Sequence, residues 1–396
     1  MSAPPESKAI ISGLGISAIG RRLGIPALDL TVEAAREAIA DAGLTPADVD
    51  GIATMGDTPP DEAQAALGIE ATLCTGFATG GLLSPVMSAF LAVAEDQARH
   101  VLVYRTVQMM GGTILPAAGG NGSGGGGAGA PPSPGDAARL ASVMGDMGSL
   151  LAHHAYSAAN WVAMHCARHM HLYGTTREQL GAIAVNARRN AARNPRAVYR
   201  APMTLDDYLA ARPISTPLGL YDCDVPVDGA IAVVVSAADH ATDCPNPPVR
   251  VAAMGGAPGT GGWIHRPDYP AMASVEAAAE LWSRTDLTPA DVDVAELYDG
   301  FTFLTIAWLE ALGLCGPGEG GPFVEGGERI ALDGELPLNT YGGQLSAGRL
   351  HGYWVLHEAC LQLRGAAGER QVPGSPEVAV VSAGGGPIAG CILLTR

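Results

Sequence analysis

The sequence predicts an α/β protein made of two homologous halves, and three observations carry that prediction. The heptapeptide Leu-Thr-Pro-Ala-Asp-Val-Asp stands at Leu44–Asp50 and again, letter for letter, at Leu287–Asp293. The match runs upstream at the same offset, where Thr31-Val32-Glu33-Ala34-Ala35 answers Ser274-Val275-Glu276-Ala277-Ala278. Around both copies, short β-branched runs alternate with amphipathic stretches in the same order. A Thr-Pro-x-Asp stretch is good capping chemistry: a capping hydroxyl, a proline pre-set for the first helical position, and a carboxylate favoured by the helix dipole. Capping does not dictate seven identical letters or the helix before them, so the repeat reads as an internal duplication. Its wide spacing excludes a solenoid and leaves two half-domains.

The elements follow in order. KAIISGLGIS is an apolar run ending in glycines and reads as a strand; a helix with one apolar face follows over Thr31–Ala42. VDGIATM is the second strand, PDEAQAALG a helix, SPVMSAFLAVAEDQARH an apolar helix, and VLVYRT a buried strand. GAIAVVVSA, from Gly229, closes the half. The second half repeats the pattern with VRVAAMGG, SVEAAAELWSR, VDVAELYDGF running from strand into loop, the helices LTIAWLEALG and GYWVLHEACLQLRG, and the strands EVAVVSAGG and AGCILLTR. Each Leu-Thr-Pro-Ala-Asp-Val-Asp therefore links the first helix of its half to the next strand. The expected organisation is an N-terminal half at 1–242 and a C-terminal half at 243–396. The first carries a Gly-rich loop near 108–137, too rich in Gly and Pro to pack a core, and a helical insertion near 138–220 placed to shape a pocket.

Composition narrows the function classes. With 396 residues, 47% of them hydrophobic, there is chain enough for two cores. The formal charge of -17 excludes a basic face for nucleic acid or anionic membranes. Seven cysteines without a C-x-x-C pair suit reduced thiols, and no segment has the apolar length of a membrane span, so the expected location is the cytoplasm. His165 and His169 have metal-ligand spacing on a helix, but no H-E-x-x-H carboxylate accompanies them, and no metal site is expected.

Four stretches in this arrangement resemble landmarks of the thiolase superfamily, whose members have two βαβαβαββ halves in α-β-α-β-α layers with an inserted loop domain. The nucleophile stretch CATG of the sterol-carrier type appears as FATG, with Phe77 in the cysteine's place. The GHP stretch appears as Gly348-Arg349-Leu350, counted from Gly342-Gly343 in NTYGGQLSAGRLHG. SAGGGPIAG puts Ser382 where the second cysteine belongs, and YDGF puts Tyr298 where a residue faces the reacting carbonyl. Phenylalanine has no nucleophilic atom, so ordinary thiolysis or condensation is not expected. LYDGFT, GLCGPGEGGPFVEGG, LPLNTYGGQLSAGRLHG and HVLVYRTVQ are similar to the steroid side-chain aldolases of this superfamily.

That resemblance implies retro-aldol cleavage of a β-hydroxyacyl-CoA, with coenzyme A present only as part of the substrate and no other cofactor. It implies a homodimer, for which HVLVYRT is a candidate interface edge, and a small OB-fold partner completing a heterotetramer. Tyr298 matches the branch's tyrosine; where some members carry a second tyrosine this chain has Arg349. An unperturbed phenol ionises near pH 10, so as base Tyr298 needs a neighbouring cation; Arg349 is the expected one, with His351 relaying the proton to solvent. The expected substrate-binding positions are Asp299, Phe77, Gly343, Glu319, and the backbone of Gly384 and Gly385, whose amides suit an enolate oxygen. Two other readings remain open: a condensing enzyme using Cys74 or another thiol, and a non-catalytic acyl-CoA or lipid carrier.

Overall fold

The computed structural model describes residues 4–55, 58–75, 81–109, 148–257 and 262–396. Phe77 and residues 110–147, which hold nearly all of the Gly-rich loop and the start of the helical insertion, lie outside the described residues. The elements run β1 (Ala9–Ile16), α1 (Ala27–Asp41), β2 (Gly51–Thr54), α2 (Pro60–Leu67), β3 (Leu73–Thr75), α3 (Ser84–Ala94), β4 (His100–Gln108), α4 (Ala158–Tyr173), α5 (Arg177–Ala192) and α6 (Leu205–Leu209). They continue with β5 (Pro213–Ser215), β6 (Leu218–Gly219), β7 (Asp228–Ala237), β8 (Val249–Ala257), α7 (Ser274–Trp282), β9 (Val294–Glu296), α8 (Thr302–Ala311), α9 (Gly320–Val324), α10 (Tyr353–Arg364), β10 (Val378–Gly385) and β11 (Ile388–Thr395).

Nine strands form one mixed sheet in the order β3-β2-β4-β7-β1-β8-β11-β10-β9. The two halves meet where β1 pairs with β8, over only Ile10↔Arg250 and Ile11↔Val249. Helices α1 and α7 bury one face against the strands of their own half, whereas α3 and α10 are buried nearly all round. The amphipathic pair therefore lies outermost and the apolar pair at the centre, as their sequences require.

The two copies of the heptapeptide fold alike. Each contains a single 3-10 turn, Pro46–Asp48 and Pro289–Asp291. Asp48 Oδ2 accepts from the backbone N–H and hydroxyl of Thr45 at 2.8 and 2.7 Å; Asp291 Oδ2 accepts from the same groups of Thr288, both at 2.7 Å. The last aspartate of each copy starts the next long strand. Asp50 accepts from the amides of Arg99 and His100, and Asp293 from those of Glu377 and Val378. Helix and strand also approach identically: a Cβ added at Gly15 would lie 2.0 Å from the carbonyl oxygen of Ala34, and one at Gly255 2.0 Å from that of Ala277.

Three expectations change. The first helix begins at Ala27, because Pro26 supplies its entry and the turn before Thr31 is already helical. The three-residue strand β3 was too short to read from its pattern. HVLVYRT is not a sheet edge: β4 lies between β2 and β7, with both sides paired. Among the described residues the terminal strands are β3 and β9. No helix there is long and apolar enough to cross a membrane.

Candidate active site

The loop after β9 carries Tyr298, and it is held at four consecutive residues, by backbone at Leu297, Tyr298 and Gly300 and by side chain at Asp299. Asn339 grips Leu297 with both amide atoms, accepting from its N–H at 2.7 Å and donating to its carbonyl at 2.9 Å. The N–H of Tyr298 donates to Ser382 Oγ at 3.0 Å. Asp299 accepts from the amides of Gln344 at 2.8 Å and Leu345 at 3.5 Å. The carbonyl of Gly300 accepts from the Asp224 amide at 3.1 Å. A loop held this way presents one side chain in one place. That side chain is the phenol of Tyr298, only 9% exposed, which lies back over Gly300; a Cβ there would come within 2.8 Å of the ring.

These bonds give several sequence-singled residues a positioning place. Ser382, in the second cysteine's position, is fully buried and spends its hydroxyl oxygen on the Tyr298 amide. Asp299, expected to bind substrate, is also fully buried and turns inward onto the π-helical turn Gly343–Ala347. Gly343 is what permits this: its φ is +61°, and a Cβ there would lie 1.9 Å from Asp299 Oδ2. Both residues shape the loop from beneath. Gly384 and Gly385 end β10, two and three residues beyond Ser382, where the Gly384 carbonyl accepts from the Trp308 indole at 3.0 Å. Glu319 is not brought to this cluster; it is exposed, and its carboxylate closes a turn on the amide of Gly316.

Arg349 reaches Asp224, whose amide is bonded to the loop. Its guanidinium donates to Asp224 Oδ2 at 3.3 Å and to the sulfur of Met109 at 3.0 and 3.1 Å. Its charge does not govern the phenol as expected. Burial is the largest influence on Tyr298 and the Asp224 carboxylate the next, and together they push the phenol well above its ordinary value despite Arg349. Tyr298 is accordingly a neutral phenol, a donor and not a resting base. Its hydroxyl makes no hydrogen bond among the described residues.

His351 is 7% exposed, with φ +50°, and Nδ1 is hydrogen-bonded to Arg105 Nη2. Arginine can only donate, so Nδ1 carries the lone pair and Nε2 the proton. Burial first, then the charges of Arg105 and Arg349, hold the ring well below the usual histidine range. This corrects the relay assigned to His351: an imidazole that resists protonation is a fixed donor. Arg105 was not singled out in the sequence, though a charge inside the apolar run of β4 is the signal that marks it. Asp224 was missed as well, and burial raises its carboxyl to about 6 while Arg349 pulls it down.

The thiols lie elsewhere or are inert. Cys74 is exposed on β3, and burial and Asp61 raise its pKa; Cys223, beside Asp224, is pushed up to about 12, mostly by burial. Neither is a thiolate at neutral pH. The His165 and His169 rings are engaged by protein. His165 meets the carbonyls of Pro270 and Trp263 at 2.9 and 2.7 Å, and His169 meets Glu310 and Thr175, each at 3.0 Å.

Comparison with known proteins identifies the family. Residues 259–393 match the family model described as Thiolase C-terminal domain-like. Over 98% of its length the chain is 36% identical to 17-hydroxy-3-oxo-4-pregnene-20-carboxyl-CoA lyase of Mycobacterium tuberculosis, covering 99% of that protein. It is 35% identical to the steroid side-chain-cleaving aldolase of Thermomonospora curvata, with 99% of each chain covered. A solved structure described as an Ltp2-ChsH2(DUF35) aldolase superposes with a TM-score of 0.86 at 32% identity, covering 98% of both chains. Human mitochondrial 3-ketoacyl-CoA thiolase, at 15% identity and a TM-score of 0.68 over 98% of each chain, shares the fold. The chain belongs to the thiolase superfamily, in its branch of steroid side-chain-cleaving aldolases.

Proposed function

We propose that this protein is a carbon-carbon lyase that cleaves a bulky β-hydroxyacyl-CoA by a retro-aldol reaction, with a steroid side chain as the acyl class. Full-length similarity to two proteins named for such cleavage supports the substrate class. The observation that carries the reaction type is Tyr298: a neutral phenol on a loop pinned at four successive residues, where the position of a thiolase cysteine holds a serine already bonded to that loop. A retro-aldol step needs one group to take the β-hydroxyl proton and another to return a proton to the thioester enolate. It needs no nucleophile, and coenzyme A enters only with the substrate. In this reading Arg349 and the Nε2–H of His351 hold developing negative charge, with the Gly384–Gly385 amides as further donors.

We further propose that the working form is a cytoplasmic homodimer with a small OB-fold partner. The paired composition of the Ltp2-ChsH2(DUF35) neighbour supports the partner, and the exposed terminal strand β3 supplies an edge for the dimer. Sedimentation of the chain showing a stable monomer at micromolar concentration contradicts the dimer. A panel of β-hydroxyacyl-CoA thioesters, including 17-hydroxy-3-oxo-4-pregnene-20-carboxyl-CoA, tests the activity. The expected result is preference for the steroid thioester, with its bond between C17 and C20 broken to a 17-ketone and a three-carbon acyl-CoA. Binding of the whole panel without turnover, with and without a partner, supports the carrier reading instead.

A further inference from the structure

We propose that Asp224 is the general base of the cleavage, taking the β-hydroxyl proton, and that Tyr298 is the acid that returns a proton to the enolate. The proposal rests on the lyase reading and adds the residue that starts the reaction. Asp224 is tied by its own backbone to Gly300, the residue on which the Tyr298 ring lies, so the carboxylate and the phenol spring from joined stretches of main chain. Oδ2 is held by Arg349, while Oδ1 accepts no hydrogen bond among the described residues, and the side chain retains 9% exposure.

The neighbouring carboxylates lack that freedom. Both oxygens of Asp299 are taken by backbone amides, and Asp222 is fully buried against Tyr208, Thr302 and the Gly219 amide. Glu296 is sealed beneath Thr340. His351 has committed its basic nitrogen to Arg105. Asp224 thus combines an open lone pair, a backbone bond to the loop that carries the phenol, and a cation that favours its ionised form. Its carboxyl, raised to about 6, is charged at neutral pH and near the value that favours proton transfer.

The step balances. Asp224 takes the β-hydroxyl proton as the oxygen's electron pair forms the new carbonyl, and the bond between the α and β carbons breaks with its pair passing to the thioester enolate. Tyr298 protonates the α carbon and becomes a phenolate, which recovers its proton from Asp224. Both groups end as they began, with no oxidant or co-reactant. The titratable and charged groups facing Asp224 are Arg349 from the loop before α10, Tyr298 from the loop after β9, and Cys223 beside it, whose thiol stays neutral.

The test uses the full chain with 17-hydroxy-3-oxo-4-pregnene-20-carboxyl-CoA. Asp224→Asn is expected to lower kcat roughly a hundred- to ten-thousand-fold with KM within a few-fold, and to erase the acid limb near pH 6 from the rate profile. In Asp224→Ala, added formate is expected to restore part of the lost turnover. Arg349→Gln is expected to move the limb to higher pH, because the cation that holds the carboxyl down is gone; this arm decides if the Asp224 variants do not fold. A folded Asp224→Asn protein that cleaves within a few-fold of the parent overturns the proposal, as does a limb that Arg349→Gln leaves in place. Failure of the parent to cleave overturns the lyase reading itself, a result distinct from a parent that cleaves and an Asp224 variant that matches it.

Discussion

In the first half, the strand that follows the heptapeptide, Gly51–Thr54, leads into Met55; in the second, the equivalent strand, Val294–Glu296, leads into the loop where Tyr298 stands at the matching position. Up to that point the halves agree in letters and geometry: the same capped turn, the same aspartate gathering two amides, the same close approach of helix to strand. Beyond it they part. The second half holds its strand end with Asn339, Ser382 and the amides of Gln344 and Leu345. The first half contributes from across the sheet, through Arg105 on β4 and Asp224 before β7. Repetition has preserved the joints that make the scaffold, and the chemistry was built where the two copies face each other.

Breaking the asymmetric end has the largest expected effect. Tyr298→Phe removes one oxygen and keeps the ring, so folding survives while turnover falls roughly a hundred- to ten-thousand-fold in a steady-state assay. Met55→Leu, at the equivalent place in the other half, leaves turnover within a few-fold. If the two substitutions cost alike, the assignment of chemistry to the second half is wrong.

Next is the glycine under Asp299. Gly343→Ala forces a methyl onto the Asp299 carboxylate and a side chain into positive φ. Because Asp299 sets the Tyr298 loop, activity is expected to fall well beyond the fraction of protein that chemical denaturation shows to be unfolded.

Substitutions at the joints are expected to act equally in both halves and on stability alone. Gly15→Ala and Gly255→Ala each press a methyl against a helix carbonyl, costing about 1–3 kcal/mol by denaturant titration. Unequal losses would break the equivalence of the halves.

The smallest effect is at the capped turns. Hydrogen bonds from Thr45 and Thr288 hold Asp48 and Asp291 below the ordinary aspartate value. A depressed folded-state pKa contributes stability that is present above the unfolded value of 3.8 and is lost as pH falls through the folded one. Asp48→Asn and Asp291→Asn are therefore expected to lower the melting temperature slightly and equally at pH 7, and the difference from the parent should shrink below about pH 4.

The scaffold was legible because its information is local. Capping chemistry, β-branched runs and a seven-letter repeat can be read without knowing what lies opposite. The Tyr298 loop is legible through its resemblance to a family motif, and the loss of thiol chemistry through Phe77, Arg349 and Ser382 at the landmark positions. What could not be read depends on contacts across the chain. Asp222, Asp224 and Asp228 lie within one short stretch and look alike in sequence, yet Asp222 is locked under Tyr208, Asp228 accepts from the Leu23 amide, and only Asp224 meets Arg349. The partners of Arg349 and His351 come from Asp224, Met109 and Arg105, far away in sequence. For that reason the sequence points the Tyr298 shift the wrong way: it shows the Arg349 cation through its motif, but neither the burial of the ring nor the Asp224 carboxylate that outweighs it.

Carbon-carbon cleavage here proceeds without a covalent intermediate, and mass spectrometry during turnover of 17-hydroxy-3-oxo-4-pregnene-20-carboxyl-CoA checks this by following products and intact protein together. Equal amounts of the 17-ketone and a three-carbon acyl-CoA are expected, with the protein mass unchanged throughout. An acyl adduct on the protein, or free coenzyme A released without the ketone, would contradict it.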